Sequence, residues 1–247
     1  MRRLYGKSTE AARANMFGNS SRARIKPEFP ILYGFSRHIV PRPREWPDSH
    51  RICGHWSLPS GDWQAPADLL EFLSDGPPPI YVGFGGASSF VGQNLLTEIM
   101  AAIAGRRALF YPGWSKITSA MLPKNVFVVG DTPHAWLFPL TSVVIHHGGA
   151  GTTHSASRAG VPSIVLPFGG DQPFWAARLA SAGVAPKHVR AGKWDRESLA
   201  HMIEFAEQDS VRERAKVLGA AMAEENGVAT AVEQVEALLA ADSRTSH

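Results

Sequence analysis

The chain has 247 residues, of which 44% are hydrophobic, as is typical of a globular protein with one large domain or one domain and an extension. No run of about 18 apolar residues occurs, so the sequence predicts no membrane span, and no secretory signal follows its start. The single cysteine, Cys53, cannot form an internal disulfide. This favours a reducing, cytoplasmic location, with peripheral attachment to a membrane left open.

The formal net charge of +3 is unevenly distributed along the chain. Residues 1–51 carry eleven Lys/Arg and four Asp/Glu, whereas the remainder carries fourteen and eighteen. A basic segment can attract nucleic acid or anionic lipid, and an acid-poor start rich in Arg and Ser is also typical of transit peptides. We favour a solvated segment that packs against other protein, and we expect no nucleic-acid partner.

Elements are predicted from residue 31 onward, because the first 30 residues show no clear period. Ile31 to Phe35 is predicted as a strand, after which the prolines at 41, 43 and 47 require an extended path. Residues 57–66 are interpreted as a linker. Further strands are predicted at 80–84, 108–111, 126–129, 142–146 and 163–166, and helices at 67–73, 95–104, 152–159, 174–182, 196–207, 211–225 and 228–239. This alternation predicts the α/β class: a Rossmann-like, doubly wound parallel sheet with an extended N-terminal segment and a helical C-terminus.

A glycine-rich turn follows the predicted strand 142–146 and reads HHGGAGT over residues 146–152. In doubly wound sheets, ligands bind beyond the carboxyl ends of the strands. Glycines let backbone N–H groups approach an anion, and the N-terminus of the next helix attracts negative charge. A tight structural turn is an equally good interpretation of the glycines alone. The turn is neither a dinucleotide fingerprint nor a Walker loop.

The sequence around this turn narrows the interpretation. Residues 146–182, HHGGAGTTHSASRAGVPSIVLPFGGDQPFWAARLASA, closely resemble the donor-binding signature of UDP-glycosyltransferases with the two-domain GT-B fold. Within that superfamily, the segment is most similar to the sterol 3-beta-glucosyltransferase group and its bacterial relatives. The resemblance extends over about residues 30–240, through the segments 32–36, 40–43, 79–85, 113–114 and 129–139.

The resemblance implies that the glycine-rich turn binds the diphosphate of a nucleotide sugar. His147 corresponds to the family's histidine on the diphosphate, and an imidazole can donate a hydrogen bond to a phosphate oxygen. The residues that correspond to its phosphate-holding loop are Gly149, Ala150, Gly151 and Thr152. UDP-glucose is the implied donor substrate, and no metal is expected.

The other parts of the implied donor site lie on both sides of this turn. Asp171 and Gln172 correspond to the pair that binds sugar hydroxyls, which a carboxylate and an amide can do; a helix N-cap is the alternative for them. Pro133 and His134 lie in the loop that receives uracil and ribose, where a surface turn is the alternative for His134.

Two further residues are assigned to the site by the resemblance. Gly85 follows the first strand of this half, where the family's loop approaches the phosphates. Trp114 lines the donor cleft or is buried in the core. His154 and Arg158, on the helix after the turn, are interpreted as structural or solvated. Ser155 replaces the ribose-binding glutamate of plant-type relatives.

The implied reaction is inverting hexosyl transfer, of glucose, to a lipid, sterol or other hydrophobic hydroxyl. The base for such a transfer comes from an N-terminal acceptor domain. Residues 1–56 are interpreted as the remnant of that domain and the linker, residues 57–241 as the donor-binding domain, and residues 242–247 as a disordered tail. No catalytic residue is assigned, and we expect the chain alone to be inactive. Three alternatives stay open: an enzyme fragment, a donor-binding subunit completed by a separate acceptor-domain protein, and an inactive nucleotide-sugar-binding protein.

Overall fold

A computed structural model describes residues 30–57, 61–86, 92–113, 115, 117–189 and 194–245. Its strands are β1 (Ile31–Tyr33), β2 (His50–Ile52), β3 (Ile80–Gly83), β4 (Ala108–Tyr111), β5 (Val126–Val128), β6 (Val143–His146) and β7 (Ser163–Val165). Strands β3 to β7 form one five-stranded sheet in the order β5-β4-β3-β6-β7, and each neighbouring pair is parallel. The order reverses between β3 and β6, so the predicted doubly wound fold is confirmed.

Helices connect and flank these strands. They are α1 (Ala67–Ser74), α2 (Gln93–Ile103), α3 (His134–Leu137), α4 (Ala150–Arg158), α5 (Gln172–Ser181), α6 (Arg196–Glu207), α7 (Asp209–Ala223) and α8 (Gly227–Thr245). Most predicted elements are confirmed with small shifts at their ends, whereas β2 and α3 were not predicted. Within the described residues, no helix has the length and apolar character needed to cross a membrane.

The hydrophobic core lies on both faces of the five-stranded sheet, because successive strand residues point to opposite faces. One face carries Ile80, Val82 and Ile145, which pack against apolar residues of α2 and α6. The other carries Tyr81 and Val144, which pack against α1, α3 and α4. Each large side chain buried in this way contributes about 1.5–3 kcal/mol. Burial on both faces explains why the strands are short, continuous apolar runs.

The N-terminal segment packs on the outside of helices α4, α5 and α7. Ile39 is buried against Trp175 of α5 and Met222 of α7, and its carbonyl accepts a hydrogen bond from Arg178 Nε (2.8 Å). Strands β1 and β2 pair in parallel within this segment. The segment is therefore part of the folded structure, and the predicted boundary near residue 57 stays a prediction.

Helix α4, which follows the glycine-rich turn, is anchored to the C-terminal end of α7. Arg158, at the end of α4, donates hydrogen bonds to the carbonyls of Met222, Ala223 and Glu225 at the end of α7. A guanidinium at a helix C-terminus satisfies carbonyls that have no partner within the helix. Arg158 thus has a structural contact, as expected. Helix α8 continues to Thr245 and residues 246–247 lie outside the described residues, so the disordered tail stays a prediction.

Helix α7 approaches the chain just after α4 closely at a pair of glycines, Gly219 within α7 and Gly160 two residues beyond α4. A Cβ atom at Gly219 would lie 2.7 Å from both Cα and N of Gly160. We expect Gly219→Ala to lower the free energy of unfolding by roughly 1–2 kcal/mol, since the overpacking cost exceeds the gain in helix propensity. Urea unfolding measures this, with Gly169→Ala as control, because no heavy atom lies within 4 Å of a Cβ there. Equal stability of the two variants would contradict the packing argument.

Candidate functional site

The carboxyl ends of β3 and β6 meet at the point where the strand order reverses. Gly83 and His146, the last residues of the two strands, are register partners. The loops that follow also meet, because a Cβ atom at Gly85 would lie 3.5 Å from Cε1 of His147. Such a reversal opens a crevice at the edge of the sheet, where ligands of doubly wound folds bind.

Gly148 makes the sharp turn from β6 towards α4. Its φ is +91°, and a Cβ atom there would lie 2.6 Å from Cγ1 of Val165 and 3.1 Å from the carbonyl oxygen of Gln172. Only glycine combines this φ with so little space. The first turn of α5 therefore packs directly against the turn before α4.

His146 is completely buried beneath this turn. Its Nδ1 accepts a hydrogen bond from the N–H of Gly148 (3.1 Å), so Nε2 carries the proton in the neutral ring. Burial, together with the nearby His147 and His134, lowers the pKa of His146 to about 3. The N–H of Gly148 needs an unprotonated acceptor, and the lowered pKa of His146 keeps its ring in that neutral form.

His147 lies half-buried at the crevice. A Cβ atom at Gly149 would lie 2.5 Å from its Nε2, so the imidazole covers the glycine that precedes α4. Burial lowers the pKa of His147, whereas the charge of Asp171 raises it. The neutral ring donates one hydrogen bond, and an anion that approaches it would favour the protonated form.

The N-terminus of α4 presents free backbone donors at the same place. Gly149 is the N-cap residue, and the first backbone bond of the helix runs from the N–H of Thr153 to its carbonyl (3.0 Å). The N–H groups of Ala150, Gly151 and Thr152 therefore have no acceptor within the helix. Together with the helix dipole they form a favourable environment for an anion.

A cavity of about 480 Å³ lies beside this helix end. Its walls contain Gly85, Thr152, Pro133 and His134, so the segment predicted for the base and ribose and two residues predicted for the phosphates share one cavity. His134 is half-buried and stacks on Phe138, with 4.2 Å between ring centroids and 16° between planes. The ring belongs to the cavity wall, and burial lowers its pKa.

Several cavity residues were not assigned from the sequence, among them the aromatic and acidic residues Trp63, Tyr81, Tyr111 and Asp131. The phenol of Tyr111 donates a hydrogen bond to Oδ1 of Asp131 (2.6 Å), and this bond raises the pKa of the phenol. Tyr111 ends β4, so the rule that ligands bind at carboxyl ends of strands could have identified it. No comparable signal marks Trp63.

Asp171 and Gln172 start α5, next to the glycine-rich turn. Asp171 is exposed, and its Oδ2 accepts a hydrogen bond from the indole N–H of Trp175 (2.7 Å); it makes no side-chain cap bond. Oε1 of Gln172 accepts from the N–H groups of Phe168 (2.7 Å) and Gly169 (3.1 Å). Neither residue lines the cavity, but Asp171 lies near His147 and Gln172 packs against Gly148. Trp114 lies outside the described residues.

His154 of α4 anchors the N-terminal segment to the site. Its Nε2 accepts a hydrogen bond from the N–H of Ser36 (3.1 Å), and its Nδ1 bonds the carbonyl of Ala150 (2.7 Å). The ring stacks on His55 and meets the edge of Trp175. These contacts agree with the structural role expected for His154. Within the described residues, no group of three or more His, Cys, Asp or Glu could hold a metal ion.

The fold is that of glycosyltransferases of the GT-B type. The chain is similar to the structure of the calicheamicin glycosyltransferase CalG4, with a TM-score of 0.69 and 20% identity over 97% of this chain and 58% of that one. It is also similar to the spinosyn rhamnosyltransferase SpnG complexed with thymidine diphosphate, with a TM-score of 0.57 and 24% identity over 65% of this chain and 45% of that one.

Sequence comparison gives the family. Residues 99–238 match the family described as Erythromycin biosynthesis protein CIII-like, C-terminal domain, and the chain belongs to this family. It is 38% identical to O-mycaminosyltylonolide 6-deoxyallosyltransferase of Streptomyces fradiae, over 89% of this chain and 52% of that protein. It is 36% identical to a sterol 3-beta-glucosyltransferase of Arabidopsis thaliana, over 82% of this chain and 32% of that protein. The chain spans about half, or less, of the length of these curated relatives.

The buried neutral His146 makes stability depend on pH. Its pKa is about 3 in the folded chain, against a usual 6.5, so the unfolded chain binds a proton below pH 6.5 that the folded chain does not. We expect this residue to reduce the free energy of unfolding by about 2 kcal/mol between pH 7 and 5. The variant His146→Asn retains an acceptor for the N–H of Gly148. It should remove the contribution of His146 to the loss of stability at acidic pH.

Urea unfolding at pH 7, 6 and 5 measures the effect. His201→Asn, at an exposed position of α6, controls for the removal of an imidazole. If the His146→Asn chain lost as much stability on acidification as the parent chain, His146 would not be the neutral buried group described above.

Proposed function

We propose that this chain binds the donor of a glycosyl transfer, a UDP-sugar, with UDP-glucose as the favoured donor. The transfer is inverting and goes to a hydroxyl of a hydrophobic acceptor. One observation carries the proposal: Thr152, at the end of the glycine-rich turn, and the Pro133–His134 loop line one cavity at the reversal of strand order. A glycine-rich turn alone is compatible with a purely structural role, but a turn that opens into a cavity of ligand size favours binding.

The two ends of the proposed site differ in chemical character. At one end, the free N–H groups of α4 and the imidazole of His147 favour a diphosphate. At the other end, aromatic rings of Tyr81, Tyr111 and His134 line the cavity. A nucleoside diphosphate has the matching character, with a flat base at one end and a polyanion at the other.

The hexose would lie on the far side of the diphosphate, against Asp171 and Gln172. The bond from Trp175 to Oδ2 of Asp171 fixes the orientation of the carboxylate and leaves Oδ1 to accept from a hydroxyl. Gln172 uses Oε1 for backbone N–H groups, so its amide NH₂ is the group that can donate to the sugar.

The proposal for the acceptor rests on the relatives of this chain. One relative is named a sterol 3-beta-glucosyltransferase and another a deoxyallosyltransferase for O-mycaminosyltylonolide. A hydrophobic hydroxyl compound is therefore the acceptor class we propose. The base that removes the hydroxyl proton would come from an acceptor-binding domain.

Helix α8 offers a surface for that domain. Its apolar residues Val228, Val232, Val235 and Leu238 are 44%, 49%, 45% and 42% exposed, and their spacing places them on one side of the helix. Strands β1 and β2 form a two-stranded parallel sheet, whereas parallel sheets are normally covered on both faces. We propose that the acceptor-binding domain, in the same or a separate polypeptide, covers these surfaces.

Loss of the His147 imidazole should weaken nucleotide binding. A hydrogen bond to a charged phosphate contributes about 1.5–3 kcal/mol, so we expect His147→Ala to weaken UDP binding by roughly 10- to 150-fold. Titration calorimetry with UDP, UDP-glucose, TDP and ADP measures the affinities and the preferred nucleotide. His201→Ala, at an exposed site on α6, is the control. Unchanged UDP affinity in His147→Ala would exclude His147 from the phosphate site.

Trp175 should matter for the sugar and not for the nucleotide. Phenylalanine at this position retains a ring but loses the N–H that holds Asp171. We expect Trp175→Phe to reduce the ratio of UDP-glucose affinity to UDP affinity about threefold to tenfold. Competition binding of the two ligands gives the ratio, and Trp46→Phe in the N-terminal segment is the matched control. A ratio equal to that of the parent chain would remove Asp171 from the proposed sugar contact.

A further inference from the structure

The nucleoside end of the cavity contains a carboxylate that the proposed function has not used. Asp131 is the only lining residue, among those described, with a carboxylate side chain. The phenol of Tyr111 donates a hydrogen bond to Oδ1 of this carboxylate (2.6 Å), while Oδ2 accepts no hydrogen bond from a described residue. Asp131 therefore presents an oriented oxygen that can only accept.

The charge of Asp131 determines which part of a nucleotide can lie beside it. A phosphate would be repelled by the carboxylate, whereas the N-terminus of α4 attracts it. Gly85 and Thr152, the two lining residues predicted for the phosphates, share the cavity with Asp131, which is close in sequence to Pro133 and His134 of the loop predicted for the base and ribose. The neighbour of Asp131 is thus the base or the pentose.

The hydrogen-bonding groups of the two candidates decide between them. The N3–H of uracil is flanked by two carbonyl oxygens, which a nearby carboxylate repels. The vicinal 2′- and 3′-hydroxyls of ribose offer two donors, and a carboxylate can accept both. In dinucleotide-binding doubly wound folds, an acidic side chain takes this role towards the ribose. Tyr111 ends the second strand of the sheet in chain order, β4, so the pair lies at the carboxyl edge.

We propose that Asp131, positioned by Tyr111, accepts hydrogen bonds from the ribose 2′- and 3′-hydroxyls and makes the site selective for ribonucleotide over 2′-deoxyribonucleotide donors. The fold itself does not dictate the pentose, since a solved structure with this fold is complexed with thymidine diphosphate. The selectivity lies in one carboxylate and its phenol partner. This inference rests on the proposed function, because it needs a nucleotide in the cavity.

UDP and dUDP test the proposal, because the two ligands differ only at the 2′-hydroxyl. We expect the chain to bind UDP about 10- to 150-fold more tightly than dUDP, the range for a lost hydrogen bond to a charged group. Asp131→Asn should abolish most of this ratio. Tyr111→Phe keeps the carboxylate but frees its orientation, so the ratio should fall to an intermediate value while the chain still binds dUDP.

The ratio is the informative quantity. Removing a negative charge near a polyanion strengthens the binding of UDP and dUDP alike, and this common effect cancels in the ratio. Asp209→Asn is the matched control, since it removes one carboxylate at an exposed position of α7 and should leave the ratio unchanged. Thermal unfolding of each variant checks that it is folded.

Each outcome has a defined meaning. A large ratio in the parent chain that is lost in Asp131→Asn supports the ribose contact. Equal affinity for UDP and dUDP in the parent chain, or a ratio retained in Asp131→Asn, overturns it and leaves the proposed function intact. If neither UDP nor dUDP bound, the proposed function and the ribose contact would both be wrong.

Discussion

The site depends on one tight turn. The carboxyl end of β6 must deliver the chain to the start of α4 without a long loop, and Gly148 achieves this with a φ of +91°. The neutral ring of His146 stabilises the turn from below by accepting its N–H. Because Val165 and Gln172 fill the space beside Gly148, β7 and α5 are brought against the same turn. This one turn therefore positions the N-termini of both α4 and α5, and with them the proposed phosphate and sugar contacts.

Much of the fold could be predicted from the sequence because the strands are buried on both faces. Continuous apolar runs separated by periodic helices identify a parallel sheet, and Ala108–Tyr111 and Arg196–Glu207 have the predicted limits. Strand β2 was not predicted, because His50, Arg51 and Ile52 show no apolar pattern and the strand forms through pairing with β1. Helix α3 is a single turn after Pro133, too short for a period to be visible.

The candidate site was predictable only in part, because some of its contacts join residues that are distant in the chain. The glycine-rich turn and the Asp171–Gln172 pair are local in sequence, so a motif can identify them. The pair of Tyr111 and Asp131 exists only because β4 and β5 are neighbours in the sheet, and no local pattern records that contact. The same holds for Ser36 and His154, which are far apart in the chain and joined by a hydrogen bond.

Trp175 belongs to two parts of the molecule at once. Its N–H holds Asp171, while its ring packs against Ile39 and the edge of Phe35 in the N-terminal segment. The segment 31–55 therefore forms part of the physical support of the proposed sugar contact. A chimera made by recombining two glycosyltransferases would preserve this support if the crossover lay before residue 31. The segment 31–55 and the helices on which it packs would then come from the same parent. A crossover at the predicted linker near residue 57 would separate Trp175 from its packing partners, although it would leave every described residue of the proposed nucleotide cavity in place.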